Sequence, residues 1–354
     1  MRQATERSHF CRRAYIGKRT EMAFERHVTL AIAALLSTAS PAFAGPRGGV
    51  DGQAVTVMDQ RVAYLVELAV QDARVNDIGF RIARAAANRC PDQRELAGIT
   101  LHSASQYAQD WREAAQQAFG FRGEVAVAAV AEGSTWADAG LHVGDRIVAI
   151  GDTHLPAFND LQRGNFAQTD DVLERLAVAP AGAPLAVIRR DQPMVLTLQG
   201  RAGCAVLFQI RGTKAMSASA ARGSVSGQRP QWVSVSAGMV NFAAEDAEIA
   251  VVLGHELAHL VTDSEAQRAR PPARTGTRQR EARADRVGLR LAACAGYDPA
   301  AAAHFWQRYA ASRWIDVLGN LGHPSSRTRA RDLAAEAQQL RQSSDAGCGP
   351  ELVD

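Results

Sequence analysis

Hydrophobic positions in the first part of the chain recur with the period of an α-helix. From Val55 to Phe119 the apolar residues are spaced as on the buried faces of helices. The alanine- and arginine-rich run 81–87 is strongly helix-forming. Gln106 to Phe119 predicts a further helix, which Gly120 closes because glycine readily adopts the left-handed conformation after a helix. The pattern therefore predicts an N-terminal helical region over residues 45–119.

The pattern changes over residues 120–200 to short apolar runs separated by turn residues. Glu124 to Val130 predicts a strand, and Asp170 to Ala177 predicts a helix. Leu185 to Arg189 and Val195 to Leu198 predict the two strands of a hairpin. We therefore expect a β-rich domain inserted after the N-terminal helices.

Residues 201–342 begin with strands and continue with helices. The strands are predicted at Ala205 to Ile210 and at Trp232 to Ser236. After the second strand the apolar spacing is helical, and residues 343–354 form a C-terminal tail. The whole chain is thus predicted to be an α+β protein, with a mainly helical core that holds a small sheet.

Residues 1–44 have the features of a secretory leader. A basic end precedes the apolar run Val28 to Leu36, and residues 42–44 form an A-x-A cleavage site. The run is too short to span a membrane, although an uncleaved anchor is the alternative interpretation. Met22 lies where such a signal usually begins, so the true start is expected there. We expect an exported protein, periplasmic in the first instance and secreted in the second, with no transmembrane helix in the mature chain.

The charge balance argues against nucleic-acid binding. The chain has 40 basic and 37 acidic residues, a net charge of +3. The leader holds seven of the basic and three of the acidic residues, which leaves 33 basic and 34 acidic residues in the remainder. A mature chain without a basic excess lacks the electrostatic basis of nucleic-acid binding.

Four cysteines follow the leader, and an exported protein can oxidise them. Cys90 and Cys204 flank the predicted inserted domain. The ends of a compact inserted domain usually lie close together, so we predict a Cys90–Cys204 disulfide. Cys294 and Cys348 remain as a second pair, although Cys294 could equally be a buried free thiol.

The motif His255-Glu256-Leu257-Ala258-His259 predicts a metal site. On a helix, His255 and His259 are one turn apart and share a face, so both imidazoles can reach one ion. Glu256 lies beside them and can take a proton from a water molecule. Composition alone would produce only about 0.01 such motifs in a chain of this kind.

A catalytic zinc site needs a third protein ligand. A metzincin would carry glycine and histidine where this chain has Thr262 and Glu265, so that class is excluded. Glu281 and Asp285 lie one turn apart on a later predicted helix. We expect Glu281 to bind the metal and Asp285 to accept a hydrogen bond from a ligand imidazole. Glu265 is the rival ligand.

The C-terminal half of the chain resembles the HtpX and CAAX-prenyl-protease family of gluzincin metallopeptidases, over about residues 230–332. The resemblance rests on His255-Glu256-Leu257-Ala258-His259, Glu281-x-x-x-Asp285, Ala295-Gly296-Tyr297-Asp298-Pro299, and His323-Pro324 followed by Arg329. It implies a zincin-type core with one Zn²⁺ per chain, bound by His255, His259 and Glu281, and with Glu256 as general base. It also implies that His323 and Arg329 are catalytic residues near the metal.

Residues 120–200 resemble a PDZ domain of the bacterial protease-associated arrangement. The resemblance rests on the run Ala139-Gly140-Leu141-x-x-Gly144-Asp145-Arg146-Ile147. It implies that the loop Phe119-Gly120-Phe121, with the strand Val125 to Val130 after it, binds the C-terminal tail of a peptide. A structural lid with a filled groove is the alternative.

A zinc peptidase must also hold its substrate extended beside the metal. We expect the strand Trp232-Val233-Ser234-Val235-Ser236 to be an edge strand that pairs with the peptide. The leading hypothesis is a zinc-dependent endopeptidase of a bacterial envelope that acts on misfolded or unassembled proteins. One alternative is a PDZ adaptor or chaperone whose zinc site is weak or plugged. Another is a zinc hydrolase of small substrates.

Overall fold

The computed structural model describes residues 56–90, 97–156, 166–199, 204–221, 231–268, 276–312, 324–342 and 348, with the backbone alone over 263–268. The predicted leader and most of the predicted tail lie outside these ranges. The helices are α1 Val57–Ala85, α2 Arg112–Phe119, α3 Thr135–Asp138, α4 Ala167–Val178, α5 Ala237–Phe242, α6 Asp246–Arg268, α7 Thr277–Cys294, α8 Ala301–Ser312 and α9 Ser326–Gln342. The strands are β1 Ile99–His102, β2 Val125–Val130, β3 Arg146–Ile150, β4 Thr153–His154, β5 Pro184–Arg189, β6 Gln192–Thr197, β7 Val206–Arg211, β8 Ala218–Ala221 and β9 Gln231–Ser236. Short 3₁₀ turns cover Ala87–Arg89, Ala104–Gln106 and Gln109–Trp111.

Helices and two sheets make up the molecule, so the predicted α+β class is correct. An antiparallel sheet has the strand order β1-β2-β3-β5-β6, and β4 pairs with β3. A smaller sheet has the order β7-β9-β8, with β7 parallel and β8 antiparallel to β9. None of the helices in the described ranges is both long and apolar enough to cross a membrane.

Helix α1 connects the two sheets. A capping box between Thr56 and Asp59 begins it, because each side chain accepts a hydrogen bond from the other residue's backbone. Its buried face packs against β7, α6 and β2. At its centre the Asp72 carboxylate accepts a hydrogen bond of 2.8 Å from the backbone N–H of Ile210 on β7. Helix α1 is therefore the common support of both sheets.

The larger sheet begins earlier than the sequence indicates. Strand β1 lies within the region 45–119 that the apolar spacing predicts to be helical, and it pairs with β2 from Ile99 opposite Val130 to His102 opposite Ala126. The predicted boundary at residue 120 therefore cuts through this sheet. Helix α2 is likewise shorter than predicted, because 3₁₀ turns precede it, but Gly120 does end it in the left-handed conformation.

The predicted peptide groove beside β2 is wrong. Strand β2 is an inner strand, because β1 pairs with one edge and β3 with the other. The N–H of Gly120 donates to Gln116 in the helix cap. The rings of Phe119 and Phe121 pack on His102, with centroids 4.7 and 4.5 Å away. The loop is thus a helix end with its aromatic side chains turned into the protein.

Two glycines and a buried carboxylate form the turn that carries the PDZ-like run. Gly140 and Gly144 have φ values of 80° and 87°, which disfavour a larger residue. Asp145 is fully buried, accepts a hydrogen bond from the N–H of His142, and binds the guanidinium of Arg189 on β5. These contacts fix the turn between α3 and β3.

The strand predicted to bind substrate is also misplaced. The residues Trp232 to Ser236 belong to β9, the central strand of its sheet, so neither edge can receive a peptide. The edge strands in the described ranges are β7 and β8, and the sequence does not reveal β8 because Ala218–Ala221 is short and consists of small residues. Strand β8 packs against α6.

Two disulfides join distant parts of the chain. Cys90 and Cys204 are bonded, with their Cα atoms 5.3 Å apart, and they flank the larger sheet as the sequence predicts. Cys294 at the end of α7 is bonded to Cys348. The first bond belongs to the same apolar cluster as Leu257 and Val261 on α6, and these residues line one small cavity.

Candidate metal centre

Helix α6 presents His255 and His259 on one face. Both side chains are half-buried, and their Nε2 atoms lie 3.2 Å apart. The two rings are nearly perpendicular, with an interplanar angle of 89°. The i, i+4 spacing therefore brings both nitrogens to one point, as the motif predicts.

Helix α7 adds Glu281 to this point. Its Oε2 lies 3.4 Å from Nε2 of His255, and its Oε1 lies 3.5 Å from Nε2 of His259. In zinc sites the metal–ligand bonds are about 2.0–2.2 Å long, and tetrahedral geometry then places ligand atoms about 3.4 Å apart. The two Nε2 atoms lie 3.2 Å from each other, and each lies close to this value from a different oxygen of Glu281, so the three side chains converge on one point. Within the described residues, this is the group of three side chains that could hold a metal ion.

Two glycines allow α6 and α7 to approach closely. A Cβ atom at Gly254 would lie 2.5 Å from the carbonyl oxygen of Gly288, and one at Gly288 would lie 2.5 Å from the backbone nitrogen of His255. These contacts are with backbone, which cannot move aside as a side chain could. Sequence analysis missed both residues, although a glycine inside a helical pattern is a signal of close packing.

Asp285 orients the first histidine. Its Oδ1 lies 2.8 Å from Nδ1 of His255, so Nδ1 can donate to the carboxylate while Nε2 remains directed at the metal position. A carboxylate in this position fixes the tautomer and orientation of a ligand imidazole. The structure places Asp285 where the sequence analysis expects it.

Arg329 contacts this carboxylate on its other side. Its Nε donates to Oδ2 of Asp285 at 2.8 Å, and a second guanidinium nitrogen donates to Oδ1. The same guanidinium lies above the ring of Trp306, 3.5 Å from the ring centroid. One of its guanidinium nitrogens also lies 3.2 Å from Nδ1 of His255, so Arg329 contacts both the ligand ring and the carboxylate that orients it, as a positioning residue does.

The charges of the centre favour a cation. Burial lowers the pKa of His255, but its hydrogen bonds with Asp285 and Glu281 outweigh burial and raise that pKa to about 9. Burial raises the pKa of Glu281, but its hydrogen bonds with the two histidines hold the pKa far below its usual range. The pKa of Asp285 is also lowered, because its bond to His255 and the charge of Arg329 outweigh burial. Both carboxylates are thus ionised, and the donor set fits Zn²⁺.

The remaining predicted site residues are only partly described. Glu256 follows His255 on α6 and is half-buried. His323 and the side chain of Glu265 lie outside the described residues, so the predicted catalytic histidine and the rival ligand are not placed.

A separate ion pair anchors the beginning of α6. Glu248 is buried, accepts a hydrogen bond of 2.7 Å from the N–H of Ala244, and binds Arg308. The guanidinium of Arg308 lies 5.2 Å from the ring centroid of Phe242. This arrangement of arginine, ring and carboxylate resembles the one at Arg329, but its carboxylate touches no metal ligand among the contacts described.

A region of the chain matches a known family. The model for peptidase family M48 matches residues 266–337, about a fifth of the chain. The matched span contains Glu281, Asp285 and Arg329 and begins after the HExxH motif. No curated protein and no solved structure is significantly similar to the chain. The match supports a metal-dependent protease, in a family of zinc metallopeptidases that acts on protein substrates.

Proposed function

We propose that the protein is a zinc-dependent endopeptidase of the HExxH gluzincin type, with one zinc ion per chain. The observation that carries the proposal is the convergence of His255, His259 and Glu281: the two Nε2 atoms lie 3.2 Å apart, and each has an oxygen of Glu281 at 3.4 or 3.5 Å. All three side chains can therefore reach one ion, as in a zinc site. The M48 match supports the same chemistry from an independent direction.

Each residue of the centre has a separate role in the proposed hydrolysis. Bound zinc supplies Lewis-acid polarisation of the scissile carbonyl and activation of a water molecule. The carboxylate of Glu256 accepts the proton of the attacking water and passes it to the leaving amine. Asp285 holds His255 through Nδ1, and Arg329 holds Asp285. In this proposal Arg329 contributes by positioning and does not meet the reacting atoms.

Strand β8 is the proposed substrate strand. In the described ranges it pairs with β9 on one side only, and it packs against α6, which carries the histidines. An extended peptide that pairs with its other edge would lie alongside the metal centre. This role replaces the one that the sequence assigns to Trp232–Ser236.

We place the protein in an exported compartment, the periplasm of a bacterium. The leader-like residues 1–44 support this proposal, and so do the two disulfides, because disulfides persist in oxidising compartments. Misfolded or unassembled envelope proteins are the proposed substrates. The larger sheet is proposed to act as a regulatory or structural lid, since the groove expected beside β2 is filled by β1.

The competing hypothesis is an adaptor or chaperone with an inactive site. The two readings differ in a casein-cleavage assay with the purified protein. The peptidase should cleave casein, lose activity with a zinc chelator, and recover it when zinc is returned. An adaptor would bind unfolded casein and leave it intact in all three conditions, which would overturn the proposal.

A further inference from the structure

Arg329 is held between a carboxylate and an aromatic face. On one side it donates to both oxygens of Asp285, and on the other it lies 3.5 Å from the ring centroid of Trp306. Arg329 and Trp306 are each 9% exposed, so little water reaches the contact. A cation over an indole ring is most strongly stabilised where water is excluded.

We infer that Trp306 is a positioning residue of the metal centre. It holds Arg329 against Asp285, and Asp285 in turn fixes the ring of His255 for metal binding. This inference rests on the proposed metal centre and does not depend on the peptide-bond chemistry. The inference means that the affinity for zinc depends on the aromatic face of Trp306, a residue that touches no metal ligand.

The surroundings of Trp306 indicate that it acts through the face of its ring and not through its N–H group. Its Nε1 is buried and has no hydrogen-bond partner among the described residues, although a buried indole N–H usually finds one. Phe305 and Tyr309 hold the indole by ring contacts, with centroids 5.1 and 5.3 Å away. The ring is therefore fixed by packing and offers its face to Arg329.

Filling of the apolar core is the competing explanation. Trp306 belongs to the main core, so any smaller residue would also lower stability. The arrangement of Phe242, Arg308 and Glu248 provides a matched control: it has the same three components, its ring contacts the same Phe305 and Tyr309, and its carboxylate makes no contact with His255 among those described. If Trp306 had a purely structural role, replacing Trp306 and replacing Phe242 would have the same effect on the affinity for zinc.

The test measures the zinc dissociation constant of the full-length protein by competition with a chromophoric chelator. The variants are Trp306→Met, which fills space without a ring, Trp306→Phe, which keeps a ring, and the control Phe242→Leu. Loss of a residue that is bonded directly to a ligand typically costs about 10–100-fold in metal affinity. Trp306 acts through Arg329, so we expect a loss at the low end, about tenfold, for Trp306→Met, substantial recovery for Trp306→Phe, and an unchanged constant for Phe242→Leu. Equal effects of Trp306→Met and Phe242→Leu would overturn the inference.

A double-mutant cycle tests the route through Arg329. Once Arg329→Gln has removed the guanidinium, Trp306→Met should change the zinc constant by less than about twofold, because coupled residues are not additive. An undiminished effect in that background would show that Trp306 does not act through Arg329. If Trp306→Met does not fold, fluorinated tryptophans at position 306 replace it, since fluorine weakens the negative ring face at nearly constant volume. Zinc affinity should then fall with each added fluorine, and a constant affinity would overturn the inference.

These measurements also separate this inference from the proposed function. A wild-type protein that binds zinc but cleaves no protein would overturn the endopeptidase and leave the cycle fully interpretable. Normal cleavage by the wild type, together with a zinc affinity that does not depend on Trp306, would overturn this inference and leave the endopeptidase intact.

Discussion

Replacing both Cys90 and Cys204 by alanine should strongly destabilise the protein. The bond spans 114 residues of sequence, and that loop contains all six strands of the larger sheet. In the chain-entropy model, cross-linking a loop of this length removes about 16 cal/mol/K from the unfolded chain, which corresponds to about 5 kcal/mol at 25 °C. For a chain of 354 residues the entropy of unfolding is about 0.7 kcal/mol/K, so such a loss lowers the melting temperature by about 7 °C.

Urea unfolding gives the magnitude directly in a Cys294→Ser/Cys348→Ser background, measured both oxidised and reduced. Reduction of the wild type would also break the Cys294–Cys348 bond, whereas in this background it breaks only Cys90–Cys204 and keeps both side chains, so it separates the loop effect from packing at the two buried positions. We expect the reduced background protein and its Cys90→Ala/Cys204→Ala variant to agree within about 1 kcal/mol of each other, and both to lie about 4–5 kcal/mol below the oxidised background protein. A difference below about 1 kcal/mol between oxidised and reduced protein would refute the reasoning. It would mean that the larger sheet keeps the two ends together without the bond.

Three further predictions concern the metal centre and its support. Glu281→Ala should abolish stable zinc binding, because two histidines form an incomplete site. Full zinc occupancy of this variant in metal analysis would mean that another residue is the third ligand, and Glu265 would be the first candidate. Gly288→Ala should weaken zinc binding and lower stability, since its Cβ would meet the backbone of α6 at 2.5 Å; unchanged chelator competition would contradict the close approach of α6 and α7. Burial raises the pKa of Asp72 to about 7, against the hydrogen bond from Ile210, so its folded-state pKa exceeds its unfolded value of about 3.8. The stability of wild type relative to Asp72→Asn should therefore be greatest below pH 4 and fall, by up to about 4 kcal/mol, as the pH rises to 7 and above. Parallel pH profiles of the two proteins would show that Asp72 titrates normally.

Local spacing explains why the ligand set could be proposed from the sequence. The relation between His255 and His259, and that between Glu281 and Asp285, is set by the helical repeat within a single element. Likewise, Gly140, Gly144 and Asp145 act within one turn. These features need no knowledge of which elements are neighbours.

The features that sequence analysis missed depend on contacts between distant elements. Strands β1 and β8 have only four residues each, and their apolar patterns are too short to distinguish strand from helix or loop. Without them, β2 and β9 looked like edge strands, and the predicted peptide groove and substrate strand followed from that error. The approach of Gly254 to Gly288 and the stacking of Arg329 on Trp306 likewise join residues that are 34 and 23 positions apart, so no local pattern records them.

The central claim is that this centre hydrolyses peptide bonds with Glu256 as the proton carrier. The most direct test compares wild type with Glu256→Gln, a substitution that keeps the size of the side chain and removes its basicity. Zinc content and the unfolding midpoint should match those of wild type, while casein cleavage should fall by at least about a hundredfold, the usual contribution of a general base. Undiminished cleavage by a folded, zinc-loaded Glu256→Gln protein would contradict the account.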